Sequence, residues 1–282
     1  MTAAPLALAW EDWGGAGDTL LVLHGLFGSG RNWRRVGLEL TGRRRVVGVH
    51  LRNHGASPWS ETMTYEAMAA DVLALMDRLD LARADVVGHS MGGKAGMVAA
   101  LGAPERVGRL AVVDIAPMPY DHSHRAEIDA MRGVDLDTIG SRADADAALA
   151  GALPDAALRA FLLQNLERGE AGYRWRVNLD GIDRHMDELT DFPPLDDVHD
   201  GPVLLLSGGR SAYVDDTGRR AMATFFPNTR FVDWPAAGHW PHVEHPDAVA
   251  ALLADFLDTP EREASSGSAD RKSTRLNSSH YS

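Results

Sequence analysis

Val86-Val87-Gly88-His89-Ser90-Met91-Gly92-Gly93 reads as a strand that runs into a sharp turn and out into a helix. A serine at that bend takes a strained backbone, and glycines two before and two after it remove side chains that would strike the strand and the helix. The hydroxyl is thereby lifted above the sheet as a candidate nucleophile. The N–H of Met91 points at any oxyanion forming beside it. Alone, Gly-x-Ser-x-Gly is only a glycine-rich turn; its flanks decide the reading.

On either side of this stretch, short β-rich runs alternate with longer helical patterns. Candidate strands are Leu20 to His24, Arg45 to Leu51, Ala84 to Gly88, Arg109 to Ile115, Val203 to Ser207 and Arg230 to Trp234. From Thr64 to Leu79 the apolar residues Tyr65, Met68, Val72, Met76 and Leu79 recur at helical spacing; Met91 to Gly102 is a small-residue helix, and Asp247 to Leu257 follows Pro246 as another. The alternation predicts an α/β fold with a mostly parallel sheet flanked by helices. It stops over residues 119–194, which read as several short helices with no strand, a lid inserted between Pro-punctuated joints. The core then comprises 1–118 and 195–258. Residues 259–282 read as a disordered tail, poor in apolar groups, in which Asp270 to His280 resembles a translated sequencing-library adapter, so that 270–282 is set aside as an artefact.

The 282 residues are 45% hydrophobic and 24% charged, with a net charge of −12 and no cysteine. This is a globular composition, and α/β folds of about 250 residues commonly form one domain. The negative charge argues against nucleic acid as a partner. Lack of cysteine excludes disulfides, thiolate metal sites and a cysteine nucleophile. The first ten residues carry no basic group, and no apolar run approaches the roughly 20 residues a membrane span needs, so no membrane and a cytoplasmic location are expected. Neither metal nor organic cofactor is expected, and the chain is expected to be a monomer or homodimer.

A serine hydroxyl needs an imidazole to take its proton. His239, in Ala237-Gly238-His239-Trp240, follows the last strand and precedes the last helix, the place of the base when the chain order is Ser, Asp, His. His242 and His245 read as solvated or helix-capping groups. For the acid, the turn after Val203 to Ser207 holds no carboxylate, whereas Asp114 closes an apolar strand beside that of the nucleophile. Asp114 is therefore preferred to Asp215 or Asp216, which read as helix N-terminal charges. His24-Gly25-Leu26-Phe27-Gly28 follows the strand where the second oxyanion donor belongs, and the Leu26 backbone N–H is that donor. Phe27, Met91, Trp240 and the lid shape the substrate pocket.

Together with Asn32-Trp33, Arg52-Asn53-His54-Gly55, Trp175-Arg176-x-Asn178, Gly208-Gly209-x-Ser211-x-Tyr213 and Gly238-His239-Trp240-x-His242-x-Glu244, these residues make the chain resemble the α/β-hydrolase superfamily over about residues 5 to 258. Within it the chain resembles small bacterial esterases related to the mitochondrial α/β-hydrolase-domain proteins. The resemblance implies a helical lid after the sixth strand, a triad acid taken from the strand before that lid, and Ser211 where a carboxylate usually stands. It implies hydrolysis of a small-molecule carboxylic ester of short to medium acyl chain through an acyl-enzyme. Thioester, lactone and amide hydrolysis stay open, as does a binding protein that merely retains the triad. One departure is His50, where the family commonly has an acid; Arg52, Asn53 and His54 read as structural.

Overall fold

The structure, a computed structural model, describes residues 4–170 and 172–259. Seven strands form the main sheet: β1 (Trp10–Gly14), β2 (Thr19–Leu23), β3 (Arg45–Val49), β4 (Ala84–His89), β5 (Val107–Val113), β8 (Val203–Gly208) and β9 (Thr229–Trp234), in the order β1-β3-β2-β4-β5-β8-β9. Only β1 is antiparallel, to β3; the rest are parallel. The helices are α1 (Arg34–Leu40), α2 (Tyr65–Arg78), α3 (Met91–Gly102), α4 (Arg125–Arg132), α5 (Arg142–Leu149), α6 (Ala156–Leu162), α7 (Leu179–Arg184), α8 (Met186–Thr190), α9 (Asp216–Phe225), α10 (Pro241–Glu244) and α11 (Pro246–Asp258).

The two-residue period of a strand divides the core. Leu21, Leu23, Val86, Leu110 and Val112 face the cluster that holds α2 and α3, while Leu20, Val22, Val87, Ala111 and Val113 face the cluster that holds α1 and α11. Strands buried on both faces are what a parallel sheet covered by helices requires. Helix α3 is buried from Met91 to Leu101. Its glycines let it lie against the sheet: a Cβ on Gly96 would come within 3.1 Å of Leu110.

Several expectations need correction. The inserted segment leaves after the fifth strand, not the sixth, because the single strand β1 is all that precedes the parallel set. Nor is the segment wholly helical: besides α4 to α8 it carries an antiparallel hairpin, β6 (Leu166–Gly169) with β7 (Gly172–Trp175). Each hairpin strand has only four residues and both are largely exposed, too short and too polar for an alternating signal. β1 is an edge strand interrupted by Glu11 and Asp12, and it owes its form to pairing with β3. The tail, apart from Thr259, lies outside the described residues, and so do positions 270–282.

Arg52, read as structural, is fully buried and grips Asp71 with two bonds of 2.7 Å while donating to the carbonyls of Thr62 and Ala67. It anchors the loop after β3 to α2. From that loop His54 reaches the site.

Candidate active site

The carboxyl ends of β2, β4, β5 and β8 stand side by side, the place where open α/β sheets put their ligands. Ser90 leaves β4 with φ 50° and ψ −120°, a conformation costly for a residue with a Cβ. The two glycines make it feasible. A Cβ on Gly88 would lie 2.3 Å from the Gly92 carbonyl oxygen, and one on Gly92 would lie 2.6 Å from the carbonyls of Leu23 and His24. Phe27, Asn53 and Asp114 also have positive φ, at 59°, 64° and 54°. Such backbones persist only where the surroundings enforce them, and they gather at functional sites.

Asp114 is fully buried. Its Oδ1 accepts the Gly208 N–H at 2.8 Å, and its Oδ2 accepts the Ser211 hydroxyl at 2.5 Å and lies 2.7 Å from His239 Nδ1. A carboxylate so placed keeps the imidazole proton on Nδ1, which leaves Nε2 to receive one. Ser90 and His239 line one cavity of about 210 Å³ together with Leu26, Phe27 and Trp240. Among the described residues the Ser90 hydroxyl makes no hydrogen bond, and in unliganded sites the bond to the base commonly tightens only with substrate present. Asp215 is elsewhere employed: its side chain caps α9 through the Gly218 N–H at 2.8 Å, and Asp216 is the first residue of that helix.

The backbone N–H groups of Leu26 and Met91 donate to no protein acceptor among the described residues. The loop that carries Leu26 is held on both sides. His54 accepts the Phe27 N–H at 3.1 Å and donates to Arg52; His24 accepts the Leu51 N–H at 3.0 Å and donates to Gly25; Asn165 donates to the Phe27 carbonyl at 2.7 Å. Both histidines use one nitrogen as an acceptor and must be neutral. Burial holds His54 at about 4 and His24 well below the ordinary histidine value.

His242 is buried rather than solvated, and His245 is half-buried. Burial lowers His242 to about 3, and its ring stacks on Trp33 at 4.2 Å. His245 precedes α11 without capping it and stacks on Trp234 at 5.4 Å. Three contacts at the site were not anticipated. Ser211 donates to the acid, Tyr213 stacks on His239 with ring centres 4.0 Å apart, and His89 Nε2 lies 2.8 Å from the His239 carbonyl. The Gly-Gly-x-Ser-x-Tyr run was the visible signal for the first two.

Lys94, one turn along α3 from Ser90, is buried and donates to the carbonyls of Met118, Thr190 and Asp191 at 3.0, 3.3 and 2.6 Å. It thus ties together the joints where the inserted segment leaves and rejoins the core. Burial lowers its pKa from 10.5 to about 7, against the pull of Asp191. Between those values the unfolded chain holds the extra proton, so this group's contribution to stability improves as pH rises from about 7 and is least favourable below it. Urea unfolding at pH 6, 8 and 10 is expected to show wild type gaining on Lys94→Met as pH rises. A difference independent of pH would mean that the three carbonyls keep the ammonium at its ordinary value.

The model of a family described as the alpha/beta hydrolase fold matches residues 18–246. A mouse (Mus musculus) protein named sn-1-specific diacylglycerol lipase ABHD11 is 40% identical over 248 residues, 83% of this chain and 80% of its own. Esterase YbfF of Escherichia coli is 33% identical over 240 residues, 85% of this chain and 92% of its own. A solved structure described as a marine microorganism esterase superposes with a TM-score of 0.86 at 34% identity, covering 89% of this chain and 99% of that one. With a parallel sheet, a strand-turn-helix serine and a family match over most of its length, the chain belongs to the alpha/beta hydrolase family.

Proposed function

We propose that the chain hydrolyses carboxylic esters by a serine mechanism, with Ser90, His239 and Asp114 as its triad. That it is a carboxylic-ester hydrolase accords with relatives named as esterases and lipases. The observation that carries the mechanism is the 2.7 Å contact between His239 Nδ1 and a fully buried Asp114, with His239 sharing a cavity wall with a serine held at positive φ.

Ser90 Oγ attacks the ester carbonyl while His239 Nε2 takes its proton. The oxyanion is received by the N–H groups of Leu26 and Met91, each such donor being worth about 10²- to 10³-fold in rate. His239 then passes the proton to the departing alcohol and activates a water that frees the acid. Asp114 holds the imidazole and offsets its charge. Phe27 and Trp240 line the substrate cavity. Nucleophile, base, acid and oxyanion donors all come from the chain, so these steps call for neither metal nor cofactor. A cytoplasmic setting and a monomer or homodimer belong to the same reading, as does a small-molecule ester substrate.

Two cavities flank Ser90: that of about 210 Å³, and a second of about 30 Å³ walled by Met91, Ile115 and Tyr65. The narrow one suits a short acyl group. A panel of p-nitrophenyl esters from acetate to palmitate, with a diacylglycerol emulsion included because the animal relatives carry that name, is expected to peak at four acyl carbons or fewer. Absence of turnover on the whole panel, with no labelling of Ser90 by a fluorophosphonate, would leave the chain a binding protein on a hydrolase frame.

A further inference from the structure

Beside the loop that carries Leu26 lies a polar cavity of about 220 Å³ whose wall does not include Ser90. The core contributes Ser29, Arg31 and Gly55 to it, and the inserted segment contributes Arg142, Gln164 and Arg176. Three arginines meet there and no lining residue is acidic, although acidic residues outnumber basic ones by 40 to 28 in the chain.

The charges of these arginines are only partly offset. The Arg31 guanidinium makes neither a hydrogen bond nor an ion pair among the described residues; Glu11 feels its field but lies outside the wall, against His50 Nε2 at 3.4 Å. Arg142 donates to the carbonyls of Leu163 and Leu166, which aim its planar fork without cancelling its charge. Arg176 is 80% shielded from solvent, and its nearest carboxylate oxygen, on Glu167, is 4.0 Å away. Arg31 and Arg142 are exposed and Arg176 is half-buried; like charges gathered in one concave wall repel one another, and an entering anion relieves that repulsion. His50 lies outside the wall, buried behind Gly55: its Nδ1 has no partner among the described residues and stands 2.1 Å from where a Cβ on Gly55 would be, so the wall needs a glycine there. Gln164 adds a donor, since its Oε1 accepts from Asn32 and its amide nitrogen is unused.

We infer that this cavity binds a phosphate-type oxyanion through Arg31, Arg142 and Arg176, with Gln164 completing the donor set. Guanidinium forks match such oxyanions bidentately. Asn165, which follows Gln164, holds the Phe27 carbonyl, so an occupied cavity braces the loop that presents the Leu26 N–H. The phosphate has two sources, a free phosphate compound or a phosphate borne by the ester substrate's alcohol. The cavity excludes Ser90, so a binding measurement succeeds or fails independently of the esterase reading.

The test is titration of the full chain with inorganic phosphate against chloride at matched ionic strength, followed by melting temperature and by ³¹P line width. Saturable, phosphate-specific stabilisation is expected, with affinity weakened at least tenfold in Arg31→Gln. Arg31→Gln removes no contact seen in the fold, so it should remain folded; Arg35→Gln, whose ion pair with Asp247 lies on the exposed surface, should bind as wild type does. An absent or non-saturable effect, or one equal in Arg31→Gln, overturns the inference. If inorganic phosphate competes with a phosphorylated butyrate ester, raising its KM and leaving that of p-nitrophenyl butyrate unchanged, the phosphate belongs to the substrate. Equal effects on both esters assign it to a free ligand.

Discussion

Replacing Ser90 by alanine is expected to lower kcat for p-nitrophenyl butyrate by about 10⁶-fold, the scale on which loss of the nucleophile disables a serine hydrolase. The melting temperature should barely move. The hydroxyl makes no hydrogen bond among the described residues, and alanine keeps the Cβ that the turn already accommodates at φ 50°. The same variant should lose the single fluorophosphonate adduct seen by intact mass. Residual turnover within tenfold of wild type would show that another group attacks the ester, and the triad assignment would fall with it.

Asp114→Asn is expected to cost about 10⁴-fold in kcat, by analogy with the same change in a well-studied triad. The reason is the hydrogen-bond pattern. Oδ1 already accepts from the Gly208 N–H, so an asparagine that keeps that bond must turn its NH₂ toward Ser211 and His239. His239 Nδ1 then becomes an acceptor and the ring proton moves to Nε2, which can no longer take one from Ser90. Asp215→Asn should stay near wild type, since asparagine caps a helix as well as aspartate does and Asp215 serves only as such a cap. If Asp215→Asn were the more damaging of the two, the acid would have been misassigned.

The parts legible in the sequence are those whose signal is local. The glycines around Ser90 exclude side chains within four residues of the turn, and the apolar runs of β2, β4, β5 and β8 can be buried on both faces only in a covered parallel sheet. Asp114 was legible for a similar reason, because a carboxylate closing an apolar strand needs a partner. His242 misled because its surroundings come from afar: Trp33, more than 200 residues earlier, supplies the ring that buries it. The hairpin β6–β7 and strand β1 were illegible because four or five residues, half-buried or exposed for the most part, carry too weak an alternation to stand out.

By itself, then, the order of residues determined the strand-turn-helix at Ser90 and the alternation of strands and helices, and it pointed to Asp114 and His239 as partners. Tertiary structure alone decided that the Asp114 carboxylate is shared by Gly208, Ser211 and His239, that Tyr213 lies flat on the imidazole, and that Arg31, Arg142 and Arg176 surround one cavity. The physical reason is range. Steric exclusion and periodicity act over a few residues, whereas hydrogen bonds and charge fields join whatever the folded chain brings within a few ångströms, and here the partners are up to 145 positions apart.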